Sequence, residues 1–406
     1  MKRSLIQISN MYKNKTVVIG VTGGIAVYKA LDVISALRKK DINVHVIMTK
    51  SATEFVSLLT FQSISQNLVT VSMFDEPKAW EIQHISLAKK ADLFLVAPAT
   101  ANIIGKVANG IADDMLSTTI MATKAKVIFA PAMNTNMYEN VIVQGNIKKL
   151  KEYGYKFIEP DSGRLACGDT GKGKFPKPDI IVDRVLQELY DKKDLFNKNV
   201  LVTAGPTRAN IDPVRFISNN STGKMGYEIA IEARNRGANV TLISGPTNLK
   251  APEGINFIKV TENEQMYNEV FKVYDNMDIV IKAAAVADYK AKEFSNQKIK
   301  KSSGDLNLVL TRDRDILKSL GEKKTHQILV GFAAESQNLL ENAKGKLQRK
   351  NLDYILANDI TAKDIGFASN HNKVTIISKD GNLVPLEKMS KRSVARTLFD
   401  IIMEKR

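Results

Sequence analysis

The chain is expected to be an α/β protein built from two doubly wound parallel sheets (Rossmann-like), one after the other. Three observations predict this. Residues 15–48 read as strand, glycine turn, helix and strand, and residues 200–243 repeat that opening halfway along the chain. Between them, residues 191–199 form a charged, turn-rich segment where the composition resets. A boundary near residue 195 follows, giving domains 1–195 and 196–406. A chain of 406 residues is also too long for one ordinary core.

Composition narrows the class. Hydrophobic and charged contents of 44% and 25% are those of a globular protein. No apolar run approaches the ~18 residues that span a bilayer, so no membrane partner is expected. Lys2-Arg3 leads into a stretch interrupted by Gln7, Ser9 and Asn10, which makes a poor signal peptide. With a single cysteine, Cys167, the expected location is cytoplasmic. A net charge of +16 raises nucleic acid as a partner. The lysines are dispersed, however, and zinc-finger or RNP-type motifs are absent from the sequence. Polyanionic small substrates explain the same charge, and no nucleic-acid partner is expected.

In the first half, residues 15–22 form an apolar strand, Gly23-Gly24 a turn, residues 25–39 a helix and 42–48 a second strand. Glycines between strand and helix let a phosphate approach the helix start. A dinucleotide site needs an acid at the end of the second strand, where this chain has Met48-Thr49-Lys50. That disfavours NAD and favours a mononucleotide such as FMN, with NADP the alternative that Lys50 leaves open.

His84 precedes the strand 92–97 and reads locally as a surface histidine on a short helix. That strand delivers Thr100 and Asn102 to its carboxyl end, where an open sheet binds ligands. The next strand, 127–130, delivers PAMNTNM at 131–137 to the same edge. Residues 161–177, DSGRLACGDTGKGKFPK, are too rich in Gly, Pro and Lys for a packed element and read as a lid or a disordered loop. Cys167 lies in their middle. A helix over 180–189 closes this half.

The second half opens with a strand at 200–203, broken at Ala204-Gly205-Pro206, and a helix over 224–236. Gly223-Lys224 imitates the end of a P-loop, but Met225 stands where Ser or Thr should hold Mg²⁺ and Ser218 where the leading glycine belongs. What remains is a phosphate loop of another design, with Arg208, Arg215, Asn219 and Lys224 in reach of anions. Further strands are expected at 239–243, 278–282 and 351–358, a strand ending in Gly331-Phe332-Ala333-Ala334-Glu335, a hairpin over 374–386, and helices over 343–350 and 390–405. Small residues at 283–287 allow a nucleotide close to the backbone, and Asp288 can accept ribose hydroxyls or help hold a cation.

The run DPVRFISNNSTGKMG at 212–226 strongly resembles the ligase half of the bifunctional coenzyme A biosynthesis flavoproteins. That family joins phosphopantothenoylcysteine decarboxylase to phosphopantothenate–cysteine ligase. PAMNTNM at 131–137 is similar to its PxMNxxM motif, with Tyr138 where many members have Trp, and KIKK at 298–301 resembles its lysine signature. The likeness covers nearly the whole chain.

The resemblance implies a flavodoxin-like flavoprotein domain followed by a ligase domain. It assigns FMN to Gly23, Gly24, Ile25 and Thr49, and the strand-end position of Thr100 and Asn102 makes them candidates for further flavin contacts. It makes His84 catalytic, places the substrate carboxylate on Asn134 and puts Cys167 on a substrate flap as proton donor. In the reaction so implied, oxidation of the cysteine thiol to a thioaldehyde allows CO₂ to leave, and the electrons return afterwards.

For the ligase, the resemblance implies CTP contacts from Lys298, Phe332, Lys346 and Lys350, and Arg215, Lys282, Ala283, Ala284, Asp288, Arg314, Asp315, Ile316 and Leu317 are expected as further substrate-binding residues. Asn219 handles an acyl-cytidylate, Arg215 lies close by, and Mg²⁺ rides on the phosphates with Asp288 able to help. The implied substrates are 4′-phosphopantothenate, cysteine and CTP, and the implied assembly is a dodecamer of trimers and dimers. The alternatives from the residues alone are a two-domain NADP-dependent dehydrogenase and a basic nucleic-acid-binding protein.

Overall fold

The computed structural model describes residues 12–74, 82–300, 306–335, 338–359 and 369–404. Lys2, Arg3, Trp80, Glu81 and Lys301 lie outside the described residues. The chain divides into two compact units, the first ending at Asp191 and the second beginning at Lys192.

The first unit is a six-stranded parallel sheet of β1 (Thr16–Val21), β2 (Asn43–Met48), β3 (Val69–Thr70), β4 (Leu93–Ala99), β5 (Lys126–Pro131) and β6 (Lys156–Phe157). Their spatial order is β3-β2-β1-β4-β5-β6. Without the two-residue β3, this is the flavodoxin order. Alternation along β1 sends Val17, Ile19 and Val21 to one face, against Val33 and Ile34 of helix Val27–Arg38 and Ile181 and Val185 of helix Pro178–Leu189. Val18 faces the other side, with Ile103 of helix Ala101–Ala108 and Leu116 of helix Met115–Ala122. Both faces are therefore covered, as an all-parallel sheet requires.

The segment 161–177, expected from its composition to be a lid or disordered loop, instead contains an antiparallel hairpin of β7 (Asp161–Arg164) and β8 (Thr170–Lys174). The glycines that suggest a loop are what its packing needs. A Cβ on Gly171 would stand 2.5 Å from Thr135 Oγ1, and one on Gly173 would stand 2.4 Å from the Met133 carbonyl oxygen. The Met133 amide donates to the Gly173 carbonyl at 2.9 Å. Lys172 pairs with Glu159 at 2.8 Å, and Lys151 and the Tyr138 hydroxyl reach the same carboxylate.

The second unit begins with β9 (Asn199–Ala204), followed by a short antiparallel pair, β10 (Arg208–Asn210) and β11 (Phe216–Ser218). It continues with β12 (Asn239–Ser244), β13 (Asn256–Lys259), β14 (Ile279–Lys282) and a second short pair, β15 (Tyr289–Ala291) and β16 (Leu310–Arg312). Then come β17 (Ile328–Glu335), β18 (Tyr354–Asp359), β19 (His371–Asn372), β20 (Val374–Ser378), β21 (Leu383–Pro385) and β22 (Met389–Ser390). The main sheet runs β13-β12-β9-β14-β17-β18-β20-β21, parallel up to β18 and antiparallel beyond it. Val200 and Val202 pack with helices Lys224–Asn235 and Lys391–Glu404 through Ile229, Leu398 and Phe399. Leu201 and Val280 face Met266, Leu320 and Leu347 on the opposite side.

One buried ion cluster secures this unit. Arg236, with no exposed surface, donates to Glu232 at 3.0 Å, Asp194 at 3.1 Å, Asp400 at 2.7 Å and the Arg396 carbonyl at 3.1 Å. Among the described residues, no helix is long and apolar enough to cross a membrane.

Candidate active sites

In each unit the order of strands reverses beside the first strand, between β1 and β4 and between β9 and β14. Connections leaving the two strands there diverge to opposite faces, so a crevice opens at their carboxyl ends. Each unit has a cavity at that point.

The cavity of the first unit is about 670 Å³. Gly23, Gly24 and Ile25 enter it after β1, Thr100 after β4, Met133 and Asn134 after β5, and Cys167 from the β7–β8 turn. Gly23 is a close-approach position, since a Cβ there would lie 2.5 Å from Ser51 Cβ. Gly24 opens on free space instead. Thr22 and Thr100 fix the β1 and β4 ends to each other. The Thr22 hydroxyl donates to the Pro98 carbonyl at 2.7 Å and accepts from the Thr100 amide at 3.0 Å.

Asn134 caps helix Thr135–Glu139 through its side-chain oxygen, which leaves its Nδ2 free to donate outward. It donates to Asp169 Oδ2 at 2.9 Å and lies 3.4 Å from Cys167 Sγ, while the thiol lies 3.4 Å from the same carboxylate oxygen. Asn134 and Cys167, 33 residues apart, are thus brought together at the cavity mouth. Asp169 is the member that sequence reasoning missed, although it stands two residues from the cysteine.

Three assigned residues do not line this cavity. Thr49 begins the short helix Lys50–Thr53, with its amide donating to the Val21 carbonyl at 3.0 Å. Asn102 is exposed on helix Ala101–Ala108, and His84 is half-buried on the first turn of helix Gln83–Lys90.

The cavity of the second unit is about 620 Å³. It gathers Asn219, Lys282, Ala283, Ala284, Asp288, Arg314, Asp315, Ile316, Leu317, Phe332, Lys346 and Lys350 from five separate stretches of chain. Gly223, at φ +77°, turns the loop into helix Lys224–Asn235, and a Cβ there would stand 2.7 Å from Thr247. The helix amides therefore open towards the cavity. Asn219 donates to the carbonyls of Ala285 and Val286, both at 3.1 Å, which ties the β11 loop to the one after β14.

Lysines dominate the electrostatics of this site. Lys282 Nζ donates to the Ala284 carbonyl at 2.9 Å, Lys346 Nζ to the Phe332 carbonyl at 2.9 Å, and Lys350 pairs with Asp315 at 2.6 Å. Burial first, then Lys346 and Lys350, push the Lys282 ammonium down to about 7, against the opposing pull of Asp315 and Asp288. An anion placed among these groups would relieve that repulsion.

Arg215 and Lys298 are not among the lining residues. Arg215 Nη1 instead donates to Asp212 and to the Ile299 carbonyl, both at 3.2 Å, and the Ile299 amide donates to Asp212 at 3.2 Å. That knot holds Lys298, itself exposed, next to the 212–226 loop. Lys391, Asn358 and Asn372 also line the cavity, and sequence reasoning named none of them. The signal for Lys391 was a lysine at a helix start, where acidic residues are usual.

Comparisons with known proteins relate both halves of the chain to one family. Residues 5–190 match the family model "Flavoprotein", and residues 195–405 match "DNA/pantothenate metabolism flavoprotein C-terminal domain". The chain is similar to the coenzyme A biosynthesis bifunctional protein CoaBC of Bacillus subtilis (strain 168), with 51% identity over 397 residues and 97% of each chain covered. It is 47% identical over 395 residues to the protein of that name from Borreliella burgdorferi, covering 97% of this chain and 100% of the other. Among solved structures, the C-terminal domain of a CoaBC protein matches 53% of this chain and 98% of its own, at 43% identity and a TM-score of 0.46. On relatedness that runs through both halves, the chain belongs to the family of bifunctional coenzyme A biosynthesis proteins, CoaBC.

Proposed function

We propose that the first unit performs FMN-dependent decarboxylation of 4′-phosphopantothenoylcysteine to 4′-phosphopantetheine. The second unit makes that substrate by joining 4′-phosphopantothenate to cysteine with CTP. The observation that carries this reading is the pairing, in one chain, of two ligand cavities of different chemistry. One has an Asn134–Cys167 pair at its mouth, and the other is lined by lysines.

The first cavity fits a flavin. Its volume lies within the roughly 300–1,000 Å³ usual for small-molecule sites. Gly24, which opens on free space, leaves room for a phosphate to approach the backbone, and Ile25, Met133 and Phe175 supply an apolar wall. When bound, FMN would provide the electron sink that an amide-linked cysteine lacks. Asn134 Nδ2 would hold the departing carboxylate, and Cys167 would supply the proton that ends the reaction. His84, Thr49 and Asn102 take part if a second copy of the chain completes the site. Ile25, Tyr28 and Met137, which line the cavity at 62%, 53% and 50% exposure, are suited to that contact. A trimer built this way, joined through ligase dimers, gives the dodecamer.

In the second cavity the phosphopantothenate carboxylate attacks the α-phosphorus of CTP, and the bond to pyrophosphate breaks. The cysteine amine then attacks the acyl carbon, and CMP leaves as the amide forms. Lys282, Lys346 and Lys350 would neutralise the nucleotide phosphates, with Lys298 brought in by the Arg215–Asp212 knot. Asn219 would steady the acyl-cytidylate, and Mg²⁺ would travel with the phosphates, helped by the exposed Asp288. The setting we propose is the cytoplasm, where the exposed Cys167 thiol stays reduced.

Purified protein should be yellow, with a flavin spectrum. Incubation with phosphopantothenate, CTP, cysteine and Mg²⁺ should release both CMP and CO₂. A colourless protein active without flavin would refute the first assignment, and equal activity with ATP would refute the choice of CTP.

A further inference from the structure

Helix Asn263–Val273 contributes no residue to the lining of the ligase cavity, yet it grips the segment that forms one wall of it. That segment, 314–317, leads into helix Ile316–Lys323, whose start is capped by the Asp315 side chain accepting from the Lys318 amide at 3.0 Å. Asp315 also pairs with Lys350, proposed above to meet the nucleotide phosphates, so a shift of this segment moves a charge the nucleotide needs.

The grip runs along one face, where Tyr267, Phe271 and Tyr274 are spaced four and three residues apart. The Tyr267 and Phe271 rings stack with centroids 4.3 Å apart, and Phe271 meets Tyr274 at 5.9 Å. At the far end the contacts are those of helix packing. The Tyr274 hydroxyl donates to the Leu320 carbonyl at 2.8 Å, and the Lys323 ammonium lies over the Phe271 ring at 5.8 Å.

The near end is different. The exposed Arg314 guanidinium lies over the Tyr267 ring, 5.1 Å from its centroid, and among the described residues no carboxylate forms an ion pair with it. Asn263, at 3% exposure, donates from Nδ2 to the Arg314 carbonyl at 2.8 Å, while its Oδ1 has no partner. A buried amide left half satisfied costs stability, so stability does not account for Asn263, whereas placing Arg314 does. A guanidinium laid on an aromatic face is oriented for a phosphate in advance, which lowers the ordering cost of binding.

We propose that Asn263 and Tyr267 are positioning residues for the ligase reaction, fixing the backbone and the guanidinium of Arg314 so that the 314–317 wall is in place before the nucleotide binds. The inference rests on the ligase reading above and adds to it two residues from outside the cavity lining.

The test uses the full chain, with KM measured separately for CTP and for phosphopantothenate and calorimetry giving the Kd of CTP. Tyr267→Leu should raise both CTP constants by about threefold or more, the scale of one cation–π contact, with kcat and the phosphopantothenate KM within about 1.5-fold of wild type. Tyr267→Phe, which keeps the ring, should match wild type. In an Arg314→Met background, Tyr267→Leu should change neither CTP constant further, because its partner is already gone. Asn263→Ala should raise the CTP constants to a similar extent without lowering the thermal midpoint, since it also deletes the unpaired oxygen. A smaller rise in either variant overturns the proposal, as does an equal loss from Tyr267→Leu with and without Arg314. Wild type that makes no phosphopantothenoylcysteine overturns the ligase reading instead, and the calorimetric comparison still decides the positioning. If Tyr267→Leu does not fold, Asn263→Ala decides the matter.

Discussion

Asn134 Nδ2 lies 2.9 Å from Asp169 Oδ2, a contact that reaches from the β5 edge of the sheet to the β7–β8 turn. The asparagine proposed to hold the substrate carboxylate already holds a carboxylate of its own chain. We predict that Asp169→Ala lowers decarboxylation turnover by about tenfold, the scale of one hydrogen bond to a charged group. Ligase activity of the same protein should stay at the wild-type level, and a decarboxylation rate equal to wild type would remove Asp169 from the site.

Cys167→Ser tests the final protonation. The variant is expected to release CO₂ but accumulate an oxidised enethiol product, visible by mass spectrometry as two hydrogens short of phosphopantetheine. Normal product at the normal rate would assign the proton to another group.

The hairpin should loosen in acid. Hydrogen bonding from Lys172, opposed by partial burial and aided by Lys151 and Tyr138, holds the Glu159 carboxyl down at about 2. Because the folded value lies below the unfolded one, the clamp is fully present above about pH 4.5 and is lost as pH falls towards 2. Amide exchange in residues 161–174 should therefore accelerate across that window, and less so in Glu159→Gln, which has lost the ion pairs from the outset. Exchange that is flat between pH 5 and 2.5, once corrected for its intrinsic pH dependence, would contradict the clamp.

Nucleotide binding should take up protons. With Lys282 held at about 7 by burial and by Lys346 and Lys350, a phosphate beside it restores the ammonium and raises that value. Calorimetry of CTP binding near pH 8, run in buffers of different ionisation enthalpy, should report net uptake that shrinks in Lys282→Met. Heats independent of the buffer would show that Lys282 does not meet the phosphates.

The Arg236 cluster predicts a stability effect. Arg236→Met leaves Glu232 and Asp400 buried or half-buried with their shared cation gone, and removing one member of such a group costs about 3–5 kcal/mol. Chemical denaturation should show that loss in the second unit's transition, while a variant within about 1 kcal/mol of wild type would mean that water replaces the guanidinium.

The strands and helices were legible because their apolar residues keep strict periods. Val17, Ile19 and Val21 against Val18 is an alternation that a buried parallel strand must show. The Gly23 turn and the 212–226 loop were legible because glycine and anion-seeking residues mark them locally. The β7–β8 hairpin was not, since its strands carry Ser, Gly and Lys and are held by contacts with Met133, Thr135 and Glu159 that no local pattern encodes. Lys391 escaped for a similar reason. Its place in the cavity depends on helix Lys224–Asn235, far away in sequence and brought close only by the packing of two helices.

The guanidinium of Arg236 grips Asp194 near the opening of the second unit and Asp400 near its close. Anyone excising the rear half for separate expression should therefore start the fragment no later than Lys192. A cut at 195 would discard one of the three carboxylates around a cation sealed from water, and the isolated piece would be weakened by the choice of scissor point rather than by the loss of its neighbour.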